Sequence, residues 1–174
     1  ATSTLENETR AILYDGKRHR LLIGNKANTL YFYDDNFNVV STITKDDNGN
    51  PIGRCYGLSE DTKGRYWLSS KDNGLFCITP TGTDTYSVKN MCHDDQNITT
   101  LSSNNAYATV EDNQGNIWVA TYGGGVNMLV KDTRTFLSPK NKMRGYPHHN
   151  FMKVRDLAID KDGKVWAGTT DGIL

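Results

Sequence analysis

The stretch that decides the fold is "EDNQGNIWVAT", residues 111–121, because the chain writes nearly the same phrase again as "EDTKGRYWLSS" at 60–70 and "IDKDGKVWAGT" at 159–169. Asp, then Gly three residues on, then Trp three further, recurs as Asp61-Gly64-Trp67, Asp112-Gly115-Trp118 and Asp160-Gly163-Trp166. The tryptophans lie 51 and 48 residues apart. A fainter copy, "YDGKRHRLLIGN", opens the chain, with Leu22 in place of the tryptophan and one extra residue in the turn. A fixed period of this size marks a repeat architecture.

Each copy reads as a hairpin. Tyr107 to Glu111 favours an extended strand, Asp112 to Gly115 has turn chemistry, and Ile117 to Thr121 returns. Alternation along the return strand puts Trp118 and Ala120 on one face and Ile117, Val119 and Thr121 on the other. The residue two past each tryptophan is small: Ser69, Ala120 and Gly168, with Gly24 after Leu22. A large ring beside a small residue suits close packing of sheet on sheet. A third strand follows in "KDNGLFCI", "YGGGVNMLV" and "TDGIL", and a fourth fits 83–89 and, more faintly, 133–138. No stretch of comparable length shows helical periodicity. The prediction is all-β: a β-propeller fragment of about three and a half four-stranded antiparallel blades. The repeats fall at 9–43, 54–89, 105–138 and a truncated 153–174, within one partial propeller over 1–174.

Composition narrows the function classes. Lysine plus arginine and aspartate plus glutamate are 20 each, so no net field draws in nucleic acid or an anionic membrane. The apolar runs are too short to cross a bilayer. Cys55, Cys77 and Cys92 lack CxxC spacing and allow at most one disulfide.

The repeats resemble the two-component regulator propeller repeat. "EDNQGNIWVATYGGGVNML" and "DKDGKVWAGTTDGIL" match its pattern almost throughout, whereas "EDTKGRYWLSSKDNGLF" departs at Tyr66 and Ser70, and the first copy departs most. The resemblance implies the periplasmic sensor region of a hybrid two-component protein of a glycan-degrading bacterium. Such a region detects oligosaccharide fragments and signals through one membrane helix to a histidine kinase. From the residues themselves, no enzymatic chemistry in this segment, no cofactor and no metal are expected. Sialidase-type Asp boxes place Asp and Trp five residues apart, against six here. NHL-like propellers, including lactonases, are the nearest rival, and a protein-interaction propeller without a small ligand is the other alternative.

An arc of three and a half blades is expected to be a piece of a longer propeller, its partners being the remaining blades. Alone, it would cover its end faces by self-association, or close as a four-bladed ring with residues 2–8 as the missing strand.

Uniform Asp-x-x-Gly turns mark one face as structural, so binding is expected on the other, with the long segments 44–53, 90–105 and 138–151. Five residues before each repeat aspartate stand Arg10, Tyr56, Tyr107 and Arg155. With the first strand innermost, these four ring the mouth of a central channel, joined by Lys71, Asn73, Tyr122 and Asp171 from the second-to-third-strand turns. Tyrosine faces and arginine forks suit sugars and acidic sugars; the same residues also line wet channels that bind nothing. His148-His149 and the Cys92-His93-Asp94-Asp95 cluster read as solvated loops rather than metal sites. "DKDG", "DDNGN" and "GGG" read as turns.

Overall fold

The computed structural model describes residues 8–141, 143–147 and 150–174. All regular structure among them is β. The expected strand at 2–8 and the His148-His149 pair lie, but for Glu8, outside the described residues.

Four antiparallel sheets follow one another along the chain, each a meander in sequence order. The first comprises β1 (Thr9–Asp15), β2 (Arg20–Asn25), β3 (Leu30–Tyr33) and β4 (Val39–Ile43). The second comprises β5 (Arg54–Glu60), β6 (Tyr66–Lys71), β7 (Gly74–Gly82) and β8 (Thr85–Met91). In the third, β9 (Ala106–Glu111), β10 (Ile117–Thr121) and β11 (Gly125–Leu129) precede a short β12 (Phe136–Leu137). The fourth has three strands: β13 (Val154–Ile159), β14 (Val165–Thr169) and β15 (Gly172–Ile173). β1 packs on β5, β5 on β9 and β9 on β13, so the first strand of each sheet is the inner strand of a propeller blade.

The recurring phrase is one hydrogen-bonded unit. Asp61 Oδ1 accepts the backbone N–H groups of Lys63 and Arg65 at 3.0 and 2.9 Å, while Oδ2 accepts the Trp67 indole N–H at 2.9 Å. Asp112 binds Gln114, Asn116 and the Trp118 indole in the same way, the last at 2.8 Å. Asp160 repeats it with Asp162, Lys164 and Trp166. Gly64, Gly115 and Gly163 sit at φ of +73°, +85° and +81°, a region that favours glycine. Three residue types are therefore fixed at once. In the first copy, which lacks the indole, Asp15 Oδ2 instead accepts from Arg18 at 2.8 Å and from the Tyr66 hydroxyl of the next blade at 2.5 Å.

Cores lie between blades, because each sheet has two faces to cover. Leu22 and Phe32 of the first blade meet Tyr66, Leu68 and Phe76 of the second. Trp67 and Leu75 on the second blade's other face meet Ile117, Val119 and Phe136. Ala120 and Val126 then meet Val154 and Ala167, with Tyr146 from the loop before β13. Burial of the three tryptophans falls along this series. Trp67 is 1 % exposed, Trp118 is half-buried, and Trp166 is 47 % exposed, tracking how much of a following blade covers each. The face of β1 carrying Ile12 and Tyr14 is likewise open.

All three cysteines are free, with Cys55 and Cys77 buried and Cys92 exposed. Burial pushes the Cys55 thiol up to about 12.

Candidate ligand-binding face

The four inner strands share an irregularity. Arg54 and Cys55 pair with Lys71 and Ser70, Tyr56 is skipped, and Gly57 resumes opposite Ser69. Tyr107 is skipped in the same way between Ala106 and Ala108, Arg10 between Thr9 and Ala11, and Arg155 between Val154 and Asp156. Each of the four is thus the extra residue of a β-bulge, the device by which a strand re-aims one side chain. The small residue two past each tryptophan stands directly opposite the point where pairing resumes, as Gly24, Ser69, Ala120 and Gly168. Its size is tied to the bulge as well as to packing between blades.

The re-aimed side chains touch in sequence. The Arg10 guanidinium lies 5.8 Å from the centre of the Tyr56 ring, and Tyr56 meets Tyr107 edge-to-face at 4.9 Å. Arg155 lies 5.7 Å from the Tyr107 ring and 5.1 Å from that of Tyr122, and Lys153 Nζ lies 5.6 Å from Tyr122. A cavity of about 450 Å³ opens here, lined by Tyr56, Tyr107, Thr109, Arg155 and Asp156 among others. The arginines are exposed and the tyrosines half-buried, so rings and cations both face an open mouth.

Charge is distributed unevenly along this ladder. Arg10 pairs with Glu8, and Arg54 with Asp72. Neither Arg155 nor Lys153 forms an ion pair with a described carboxylate.

The second-to-third-strand turns divide. Tyr122 joins the ladder, and its backbone bridges to Lys153. Asn73 Nδ2 donates to the Pro51 carbonyl at 2.8 Å, and Asp171 accepts the Phe151 N–H at 3.0 Å, so both side chains brace loops. Lys71 stands at the end of β6 opposite Arg54. Lys153, part of the ladder, was not among the residues expected from sequence; its place two residues before Arg155 was the available signal.

The other end of the channel differs in chemistry. A cavity of about 490 Å³ beside the Asp-x-x-Gly turns is lined by Glu60, Asp61 and Glu111 with one cation, Lys17, and by Ser59, Thr62 and Thr109. Glu111 there accepts the Thr62 N–H at 2.6 Å and its hydroxyl at 2.9 Å, which staples the second blade to the third. One mouth is aromatic and cationic, the other acidic.

The remaining sequence candidates serve as loop scaffolding. His93 Nδ1 lies 2.6 Å from the Leu101 carbonyl oxygen and Nε2 lies 2.8 Å from Asp95 Oδ1, pinning the 90–105 segment. Asp46 of "DDNGN" accepts the N–H groups of Asn48 and Asn50, as expected of a turn. Gly123 and Gly125 have positive φ. Among the described residues no group of three or more His, Cys, Asp or Glu side chains is arranged to hold a metal, and no helix is long and apolar enough to cross a membrane.

Comparison with known proteins places the repeat. The family model described as two component regulator propeller matches residues 100–123 and 149–171, the inner hairpins of the third and fourth blades. Histidine kinase P4 of Formosa agariphila is 29% identical over 107 residues, covering 62% of this chain and 8% of that protein. Two solved extracellular domains assigned to hybrid two-component systems of B. thetaiotaomicron share the fold. One has a TM-score of 0.72 at 21% identity, covering 98% of this chain and 22% of the other. The second has a TM-score of 0.68 at 23% identity, covering 95% and 22%. The chain thus spans under a quarter of the length of each of these relatives. Its last two blades match the two component regulator propeller model, and its β-propeller fold is shared with these two extracellular domains.

Proposed function

We propose that this chain is part of the periplasmic sensing region of a hybrid two-component regulator and binds an oligosaccharide fragment at the Arg10–Tyr56–Tyr107–Arg155 mouth. One observation carries the reading: four inner strands spend a β-bulge at the same register position, and the four side chains so re-aimed form one contiguous ladder. Bulges recur beside binding sites because they direct single side chains out of the sheet plane. Tyrosine rings offer flat apolar faces to sugar rings, and guanidinium groups offer paired donors to their hydroxyls. A lactonase-like reading would place carboxylates or amides around a central cation, and a ring of arginines repels one. Signal would then pass to a kinase elsewhere in the full-length protein.

The test is isothermal titration of the intact chain with a panel of neutral and acidic oligosaccharides, followed by amide shift mapping. Millimolar affinity, about −4 kcal/mol, is expected of a mouth formed by four blades. Shifts at Tyr56, Tyr107, Tyr122 and Arg155, abolished in a Tyr56→Ala/Tyr107→Ala double variant that still folds, would support the reading. Shifts confined to Gly64, Gly115 and Gly163 would overturn it.

A further inference from the structure

We infer that the mouth holds the anionic group of its ligand between Arg155 and Lys153, beside Tyr122, so that the saccharide recognised is an acidic one bearing carboxylate or sulfate. This rests on the oligosaccharide reading above and narrows it to one chemical class.

Some cations of this face are already neutralised. On the first two blades Arg10 is held by Glu8 and Arg54 by Asp72, while Lys71 has no ion pair with a described carboxylate but lies over no described ring. On the fourth blade Arg155 and Lys153 have no such partner among the described carboxylates, although acids stand nearby. Asp156, the next residue, accepts the N–H of Leu157 at 2.9 Å. Asp171 accepts the N–H of Phe151 at 3.0 Å. Asp156 and Asp171 each spend one oxygen on backbone, and two exposed positive charges converge on one ring.

Stacking also leaves the right atoms available. A guanidinium lying over aromatic rings satisfies its face and keeps its N–H edge for bidentate contact with a carboxylate or sulfate. Lysine adds a point charge without geometric demand. Tyr56 and Tyr107, on the Arg10 side of the same ladder, remain for uncharged sugar rings. The site is therefore polar in sequence order: neutral stacking on the second and third blades, anion capture on the fourth.

The experiment titrates the intact chain with trigalacturonate, with the matched trisaccharide whose carboxyl groups have been reduced to alcohols, with a sulfated disaccharide, and with inorganic sulfate. The inference expects an acidic saccharide to bind about tenfold more tightly than the neutral one, the scale of one charge-assisted contact. Whether trigalacturonate or the sulfated disaccharide shows this gain identifies the anion. Arg155→Gln and Lys153→Gln should each erase most of the difference, Arg155→Lys should restore part of it, and Arg134→Gln, an exposed arginine away from the mouth, should leave it intact. All variants are first matched to the parent in thermal midpoint. Equal binding of acidic and neutral trisaccharides, unchanged by Arg155→Gln, would overturn the inference while leaving the oligosaccharide site standing. Sulfate binding that needs Arg155 and Lys153, with no further gain from any saccharide, would keep the anion clamp and remove the saccharide reading. Acidic binding insensitive to both substitutions would overturn the clamp outright.

Discussion

The hydroxyl of Tyr66 donates to Asp15 Oδ2 at 2.5 Å, so a side chain of the second blade completes the turn of the first. In the other three blades an indole from the same hairpin occupies that position. The Leu22 side chain has no donor to give, and Tyr66, which stands where the repeat elsewhere has Ile117 or Val165, supplies it from outside. Two departures from the repeat pattern thus compensate each other. Tyr66→Phe should cost about 1–3 kcal/mol in chemical denaturation, because a buried carboxylate oxygen loses a charge-assisted partner. A cost below about 0.5 kcal/mol would show that Arg18 alone suffices.

Acid should unfold the chain partly through these turns. Burial raises the Asp15 carboxyl, but hydrogen bonds from Tyr66, Arg18 and the backbone of Arg18 and Lys17 outweigh it and hold the group at about 2 against an ordinary 3.8. Asp160 is lowered chiefly by the Trp166 indole. In Asp112 the hydrogen bonds from Asn116 and Trp118 overcome a burial effect that pushes upward. A depressed folded value means that the stabilisation is complete above the unfolded value and disappears as pH falls from about 4 through 2. For Asp15, which is fully buried, this amounts to about 2 kcal/mol. Asp15→Asn should lower stability at neutral pH and flatten the profile between about pH 4 and 2.

The three tryptophans should not be equivalent. Trp67→Ala removes a ring that is 1 % exposed and should cost about 3–5 kcal/mol. Trp166 is 47 % exposed, and its removal should cost less than about 1 kcal/mol. Trp118 should fall between them. Equal costs would contradict the graded covering of the blades.

Gly57 follows the bulge at Tyr56, and a Cβ placed there would lie 2.4 Å from the Tyr107 carbonyl oxygen. Backbone cannot yield as a side chain can. Gly57→Ala should therefore separate the second and third inner strands and destabilise by about 1–3 kcal/mol. Because Tyr56 and Tyr107 flank the contact, their near-ultraviolet circular dichroism should change too. An unchanged spectrum with unchanged stability would refute the close approach.

The hairpins were legible because each position of the phrase admits few residue types. Asp alone closes the turn and reaches the indole, Gly takes positive φ at Gly115, and Trp both packs and donates. The spacing alone did not disclose that Asp112 and Trp118 bond to each other. The bulges were legible only as a register. Nothing about Arg, Tyr, Tyr and Arg requires a bulge, because an extra residue disturbs the backbone ladder whatever its side chain. The outer strand expected at 133–138 is only Phe136–Leu137. Asp132 at φ +57° and Pro139 bracket it, and Phe136 gives its N–H to Thr99 rather than to a longer ladder. Lys153 lies outside the Asp-based register, and an isolated bridge to Tyr122 just before β13 brings it to the same mouth.

The falling burial from Trp67 to Trp166 has a dynamic meaning. Blades that touch only their neighbours couple as a linear array, in which each element is as persistent as the interfaces on its two sides. Among the described residues the second blade has two full interfaces, whereas the interface between the third and fourth blades is built from smaller side chains around a cavity of about 470 Å³. Local opening should therefore begin at β13–β15 and travel inward, giving amide exchange fastest there and slowest in β6 and β7. Arg155 and Lys153 ride on or beside that least protected blade. A ligand bridging them to Tyr56 would span the second, third and fourth blades, so its capture would oppose that opening.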